Sequence, residues 1–114
     1  DEEAMFTRQS DDTFIADARA ELEDIAAAIG PEFDVSGQLN EVDTLGGLIY
    51  AELGRIPARG EVVQAVPGFE FHVLDADPRR IKRVRIARSK AALKRKAREE
   101  AEQADSGTDG ESGS

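Results

Sequence analysis

The apolar side chains change their spacing partway along this chain, and that change restricts the fold more than any other feature. Between residues 20 and 53 they recur at intervals of three and four. Leu22, Ile25, Ala26 and Ile29 make one stripe; Leu45, Leu48, Ile49 and Leu53 make a second. That spacing lines one face of an α-helix. From residue 69 onward the apolar positions alternate. Phe69, Phe71 and Val73 interleave with Glu70, His72 and Leu74, and Val84 and Ile86 with Arg83 and Arg85. Alternation marks a strand with one buried face. Two helices and a set of strands on short links predict an α+β fold: a small antiparallel sheet, a three-strand meander plus an N-terminal strand, packed against two helices.

Turn residues agree with this division. Gly30-Pro31 should stop the first helix, over 20–29, with Gly30 in a left-handed cap. Residues 31–42 read as a connecting loop. Asp43 or Thr44 can accept the free amide protons of the second helix, and Gly54 can end it. Strands are expected at 13–16, 61–66, 69–74 and 80–87, with turns at Pro67-Gly68 and Asp77-Pro78. The expected core is Phe14, Leu22, Ile25, Ile29, Leu45, Leu48, Ile49, Leu53, Phe69, Phe71, Val73, Val84 and Ile86. A domain of this size, residues 12–87, buries roughly 60% of its unfolded surface, so its stability should be modest.

Charge divides the rest. The 114 residues carry 24 acidic and 15 basic side chains, a net of −9. Residues 1–78 hold 18 acids and 4 bases, residues 79–98 hold 11 bases and no acid, and residues 99–114 hold 6 acids and no base. Residues 1–11 read as an acidic linker. Residues 88–104 read as a basic-to-acidic tail with helix propensity, although that order of charge opposes the helix dipole. Residues 105–114 have nothing to bury and are expected to be disordered. Without Cys there is no disulfide framework and no Cys-based zinc site. The longest apolar run, residues 25–29, is far short of the roughly 20 residues that span a bilayer. The start at Asp1-Glu2-Glu3, without Met, suggests a fragment of a longer protein.

Few residues offer chemistry. There is one His, and there is no phosphate loop of the Walker or Rossmann type. No catalytic residue and no metal site are expected. His72 falls on an outward strand position. Asp75 and Asp77 lack the spacing of a calcium loop. Thr44, Gly46 and Gly47 could present bare amides to an anion at the start of a helix. Equally, the glycines let another backbone approach closely, and with no Lys or Arg in that turn packing is the preferred reading. The block Arg79, Arg80, Lys82, Arg83 and Arg85 reads first as neutralisation of the acidic body, within the chain or between subunits. It reads next as a face for an anionic membrane or acidic partner. Nucleic acid is disfavoured, since no aromatic residue follows Phe71 to stack a base.

Four segments, in order, resemble the CorC/HlyC transporter-associated domain: Asp43-Thr44-Leu-Gly46-Gly47-Leu, Gly54-Arg55-Ile-Pro57-Ala-Arg-Gly60, Gly68-Phe69-Glu-Phe71-His-Val73 and Arg79-Arg80-Ile-Lys82-Arg83-Val-Arg85. The resemblance covers residues 12–87. It implies a non-catalytic regulatory module of a magnesium/cobalt efflux or hemolysin-like membrane protein, modulating ion transport from the cytoplasmic face of the inner membrane. Implied partners are the transmembrane and CBS domains of the parent, a second subunit in a homodimer, and anionic lipid, with no nucleic acid. The implied fold resembles a small FAD-binding domain. An alternative reading is therefore a sensor of FAD or an adenine nucleotide at Thr44, Gly46 and Gly47, although no residue here supports flavin binding. Asp43, Gly54, Arg55, Pro57, Gly60, Phe69, Phe71 and Val73 would shape the fold.

Overall fold

A computed structural model describes residues 5–112, with side chains as far as Glu102. The expected acidic start at Asp1-Glu2-Glu3 and the final two residues of the expected disordered tail lie outside the described residues. The chain forms β1 (Phe6–Ser10), β2 (Thr13–Asp17), α1 (Leu22–Ile29), α2 (Leu45–Leu53), β3 (Val62–Val63), β4 (Phe69–Ala76), β5 (Ile81–Arg88) and α3 (Lys90–Ser112). The strands make one antiparallel sheet in the order β1-β2-β5-β4-β3. The fold is thus the small α+β arrangement the sequence predicts, with one strand more.

That strand is β1, which lies within the 1–11 segment expected to be a linker. Phe6 pairs with Ala16 and Arg8 with Phe14. Phe6 stacks on Phe14 at 5.5 Å between ring centroids, and the Arg8 guanidinium lies over the same ring. As an edge strand, β1 leaves four of its five residues exposed. No alternation of apolar residues therefore announces it.

One face of the sheet is apolar and is closed by residues of α1, α2 and the 31–42 loop. Twelve of the thirteen expected core residues are buried, and Leu53 is only partly so. The alternation shifts phase once. Val73 pairs with Val84, but Asp75 pairs with Arg83 and Ala76 with Ile81 across two register irregularities. Both Ile81 and Val84, three residues apart, consequently face the core. The 61–66 segment contributes only Val62–Val63 to the sheet, with Val63 buried and Val62 exposed.

The 31–42 connection is more than a loop: Phe33 and Val35 are buried in the core. The Phe33 ring meets Phe69 edge-on at 5.1 Å and Phe71 at 6.1 Å. α1 starts at Leu22 rather than residue 20, because Glu21 is extended and bridges to Thr44, the Leu22 amide donating to the Asp43 carbonyl at 2.8 Å. Gly30 ends α1 with its amide on the Ala26 carbonyl, at φ 119° and ψ 179° rather than in the expected left-handed cap. Gly54 does adopt that conformation at the end of α2.

At the far end of β5 the Ser89 hydroxyl accepts from the Ala92 amide and starts α3. α3 continues through Ser112, with no break at the expected 104/105 boundary. Of its described side chains only Ala92 is buried, and Lys96, one turn further on, reaches Asp12 at 3.2 Å, so the first two turns hold α3 to the domain.

Candidate functional site

The Asp43-Thr44-Leu-Gly46-Gly47 segment ties the two helix starts together. Thr44 caps α2: its hydroxyl accepts from the Gly47 amide at 3.1 Å. The Leu45 amide donates to the Ala20 carbonyl at 3.0 Å and the Gly46 amide to the Ala18 carbonyl at 2.8 Å. These are three of the amides a helix start usually leaves without partners. All three have protein acceptors, so Gly46 and Gly47 present no bare amides to an anion. A Cβ at Gly46 would stand 3.2 Å from the Ala18 Cβ and 3.3 Å from its carbonyl oxygen. The close backbone approach is the reason for a glycine there.

The Gly54-to-Gly60 segment is closed by its own salt bridge. Arg55 grips the Glu61 carboxylate with both terminal nitrogens, Nη1 to Oε1 being 3.1 Å, and Glu61 Oε1 also accepts from the Ala58 amide at 2.8 Å. The Arg55 hydrogen bond, and then the Ala58 amide, hold the Glu61 carboxyl below its ordinary range. Pro57 is buried beneath the turn. Gly60, at φ 91°, donates its amide to the Val73 carbonyl at 2.8 Å, a conformation that favours glycine. Phe69, Phe71 and Val73 are fully buried on β4.

The five expected interaction residues do not share one face. Arg83 and Arg85 point from β5 onto the sheet face away from the helices. Arg83 lies between Asp17 and Asp75 in the register, and Arg85 between Ile15 and His72. His72 stands on the same face, with Nε2 3.3 Å from Glu70 Oε1. Arg79 and Arg80 occupy the β4–β5 turn instead, and Lys82 lies 3.4 Å from Asp77 Oδ2. Asp77 organises that turn: its carboxylate accepts from the Arg79 and Arg80 amides at 2.8 and 3.0 Å. Those two amides, in that order, keep its carboxyl below the ordinary range. Asp75 and Asp77 therefore serve as a strand residue and a turn residue. No three His, Cys, Asp or Glu side chains converge on a metal position among the described residues.

At the opposite end of β5, outside the expected set, Arg88 is closely engaged. Its side chain is only 9% exposed. Nη1 donates to Glu32 Oε1 at 2.7 Å, and the guanidinium lies over the Phe69 ring at 5.4 Å. Nε lies 2.9 Å from Asp12 Oδ1 but off the hydrogen-bond axis. Lys96 of α3 reaches the same Asp12 oxygen at 3.2 Å.

Arginines that the sequence leaves far apart meet at the turn end. A depression of about 200 Å³ lies between Ala18, Thr44, Gly46, Gly47, Ile56 and Ile81, with Arg19 and Arg80 on its walls. A second, of about 540 Å³, shares Ile56 and runs past Arg55, Pro57 and Arg59 to the Asp77-Pro78 turn. Arg19 holds Asp17 through Nε–Oδ1 at 3.1 Å, and that bond dominates the lowering of the Asp17 carboxyl, against a smaller opposing effect of burial. Because Arg19 and Arg80 come from other elements, nothing near Gly46-Gly47 in the sequence announces them.

An antiparallel sheet with capped helices on one face, fixed by these motif turns, defines a small α+β module whose motifs set backbone geometry. The comparisons give that module its family. The transporter-associated domain matches residues 7–90 of this chain, and the chain belongs to the CorC/HlyC transporter-associated domain family. It is 40% identical over 81 residues to the magnesium and cobalt efflux protein CorC of Escherichia coli K12, covering 71% of this chain and 26% of that protein. It is 37% identical over 83 residues to "Possible hemolysin C" of Rickettsia bellii, covering 73% and 27%. The crystal structure of a Mg2+ and Co2+ transporter (CorC) associated region from Neisseria meningitidis superposes with a TM-score of 0.65 at 35% identity, covering 75% of this chain and all of that one. The chain thus spans about a quarter of the length of the curated relatives it matches. Among the described residues no helix is long and apolar enough to cross a membrane.

Proposed function

We propose that this chain is a non-catalytic regulatory and interaction module of a longer cation-transport protein of the magnesium/cobalt efflux or hemolysin-like kind, acting from the cytoplasmic face of the inner membrane. The observation that carries this reading is the match of residues 7–90 to a domain that makes up 26% of an efflux protein. The chemistry of the motifs supports it. Their polar side chains are occupied in building turns and caps: Thr44 on Gly47, Arg55 on Glu61, Asp77 on the β4–β5 turn. The surface they shape offers charge to a neighbour. Its partners would be the transmembrane and CBS regions of the longer protein and a second subunit. A sensor of FAD or an adenine nucleotide at Thr44, Gly46 and Gly47 has less support. The Leu45, Gly46 and Gly47 amides there already have protein acceptors.

Deleting the module from the longer protein, with membrane insertion monitored separately, tests the proposal. Magnesium or cobalt efflux from loaded membrane vesicles should change at equal protein level. Equal efflux with and without the module would remove the regulatory role.

A further inference from the structure

We propose that the end of the sheet around Ile56 docks an acidic segment of the same longer polypeptide, N-terminal to β1, which seats one apolar side chain between its carboxylates. This rests on the reading of the chain as an interaction module. Charge distribution is the first argument. Residues 1–78 contain only four bases against 18 acids. Three of those four, Arg19, Arg55 and Arg59, wall the two depressions that meet at Ile56. The β4–β5 turn adds Arg79 and Arg80. Chain positions 19, 55–59 and 79–80 thus bring guanidinium groups to one end of a predominantly acidic body.

The state of those groups is the second argument. Arg19 and Arg55 are oriented by Asp17 and Glu61, yet their side chains remain 67% and 56% exposed. Arg59 and Arg79 have no carboxylate partner among the described residues. These exposed guanidinium groups surround a depression whose apolar lining is Ala18, Gly46, Gly47, Ile56 and Ile81. Exposed ion pairs alone bind weakly, so an apolar anchor is needed to hold a partner. An acidic segment with one apolar side chain supplies both: the anchor enters the smaller depression, and its flanking carboxylates meet Arg19 and Arg80 on one side and Arg59 on the other. A bilayer fits less well. Asp17, Glu61 and Asp77 stand among the arginines and would face the headgroups.

The direction of the chain is the third argument. The Asp17 amide donates to the Met5 carbonyl at 2.9 Å, and the Ala18 amide to the Lys82 carbonyl at 3.0 Å. The polypeptide therefore enters β1 beside this end of the sheet, while α3 leaves from the other. A segment preceding β1 meets the arginines at high effective concentration. The residues leading to Met5 include Asp1-Glu2-Glu3, of the required charge.

The test places p-benzoylphenylalanine at position 79 of the longer protein in its membrane. The adducts formed on irradiation are then mapped by mass spectrometry. The expected adducts lie on an acidic segment N-terminal to β1. Their yield should fall about tenfold when Arg19 and Arg80 are both changed to Glu, since two weak attractions become repulsions. An unchanged circular dichroism spectrum and a cooperative melt of the isolated chain with R19E and R80E would show that the fold is retained, at a somewhat lower melting temperature because Asp17 loses its Arg19 partner. Adducts on phospholipid, adducts only on other protein surfaces, a yield indifferent to the charge reversals, or no adduct would each overturn the proposal. The deletion experiment above reads transport rather than contact. Transport indifferent to the deletion, with the expected adducts present, would remove the regulatory reading and leave the docking site standing.

Discussion

The two ends of β5 carry the same kind of side chain and use it in opposite ways. At the Arg88 end the guanidinium is 9% exposed, covers the Phe69 ring and bridges Glu32 and Asp12, while Lys96 brings α3 to the same carboxylate. At the Arg80 end, Arg79 and Arg80 are exposed, and their turn is held by Asp77 through backbone amides rather than through their charges. A run of bases in a sequence is therefore not one functional unit. A strand divides it by end and by face, and the neighbours on each side decide whether a charge holds the fold or remains available to a partner.

The sharpest way to break this contrast is to remove the floor beneath the Arg88 end. Phe33→Ala should destabilise the isolated chain by about 3–5 kcal/mol, because it empties the contact with Phe69 and Phe71. Urea unfolding followed by circular dichroism would measure it. A loss below about 1 kcal/mol would mean that the 31–42 connection is not part of the core. Arg88→Ala should cost less, about 1.5–3 kcal/mol, because Glu32 and Asp12 stay partly solvated. The same change should loosen the start of α3, seen as faster amide exchange at Ala92 and Leu93.

Acid should act chiefly at the other end. The carboxyls of Asp17, Glu61 and Asp77 are all held below their ordinary values, by the Arg19 hydrogen bond, the Arg55 hydrogen bond and the turn amides respectively. A folded value below the unfolded one means stabilisation that is fully present above the unfolded range, 3.8 for Asp and 4.5 for Glu, and is lost as pH falls through the folded values. The melting temperature should therefore fall below about pH 4.5, and E61Q should flatten that fall. A profile unaltered in E61Q would contradict the Arg55–Glu61 assignment. The smallest effect is expected from Arg79→Ala and Arg80→Ala, each within about 0.5 kcal/mol of the parent in the same urea titration.

Much of this architecture was legible in the sequence, wherever a local rule has a local cause. The stripes of α1 and α2, the alternation of β4, the Thr44 cap and the left-handed Gly54 all follow from side chains a few residues apart. Missed features depend on distant contacts. β1 is polar at most positions because four of its five residues are exposed, so it carries no buried face to announce it. Phe33 and Val35 sit in a segment without period, so their burial is invisible until Phe69 and Phe71 arrive opposite them. The register irregularities around Asp75 let Ile81 and Val84 share a face, which strict alternation forbids. Of the candidate site, Thr44, Arg55, Gly54 and Gly60 occupy the caps and turns that their sequence context suggests. The convergence of Arg19, Arg55, Arg59 and Arg80 was not legible, since no spacing rule relates three segments joined only by the fold.

Metal efflux by the longer protein carrying R19E and R80E is the most direct measurement of the division between a structural and an available end. With the module still folded by circular dichroism, the magnesium or cobalt efflux proposed for the longer protein should differ clearly from that of the unaltered protein, while R83E, on the sheet face, should leave it closer to normal. Unchanged efflux in R19E/R80E, in a protein whose efflux does respond to deletion of the module, would contradict the claim that the turn end of the sheet is where this module meets its partner.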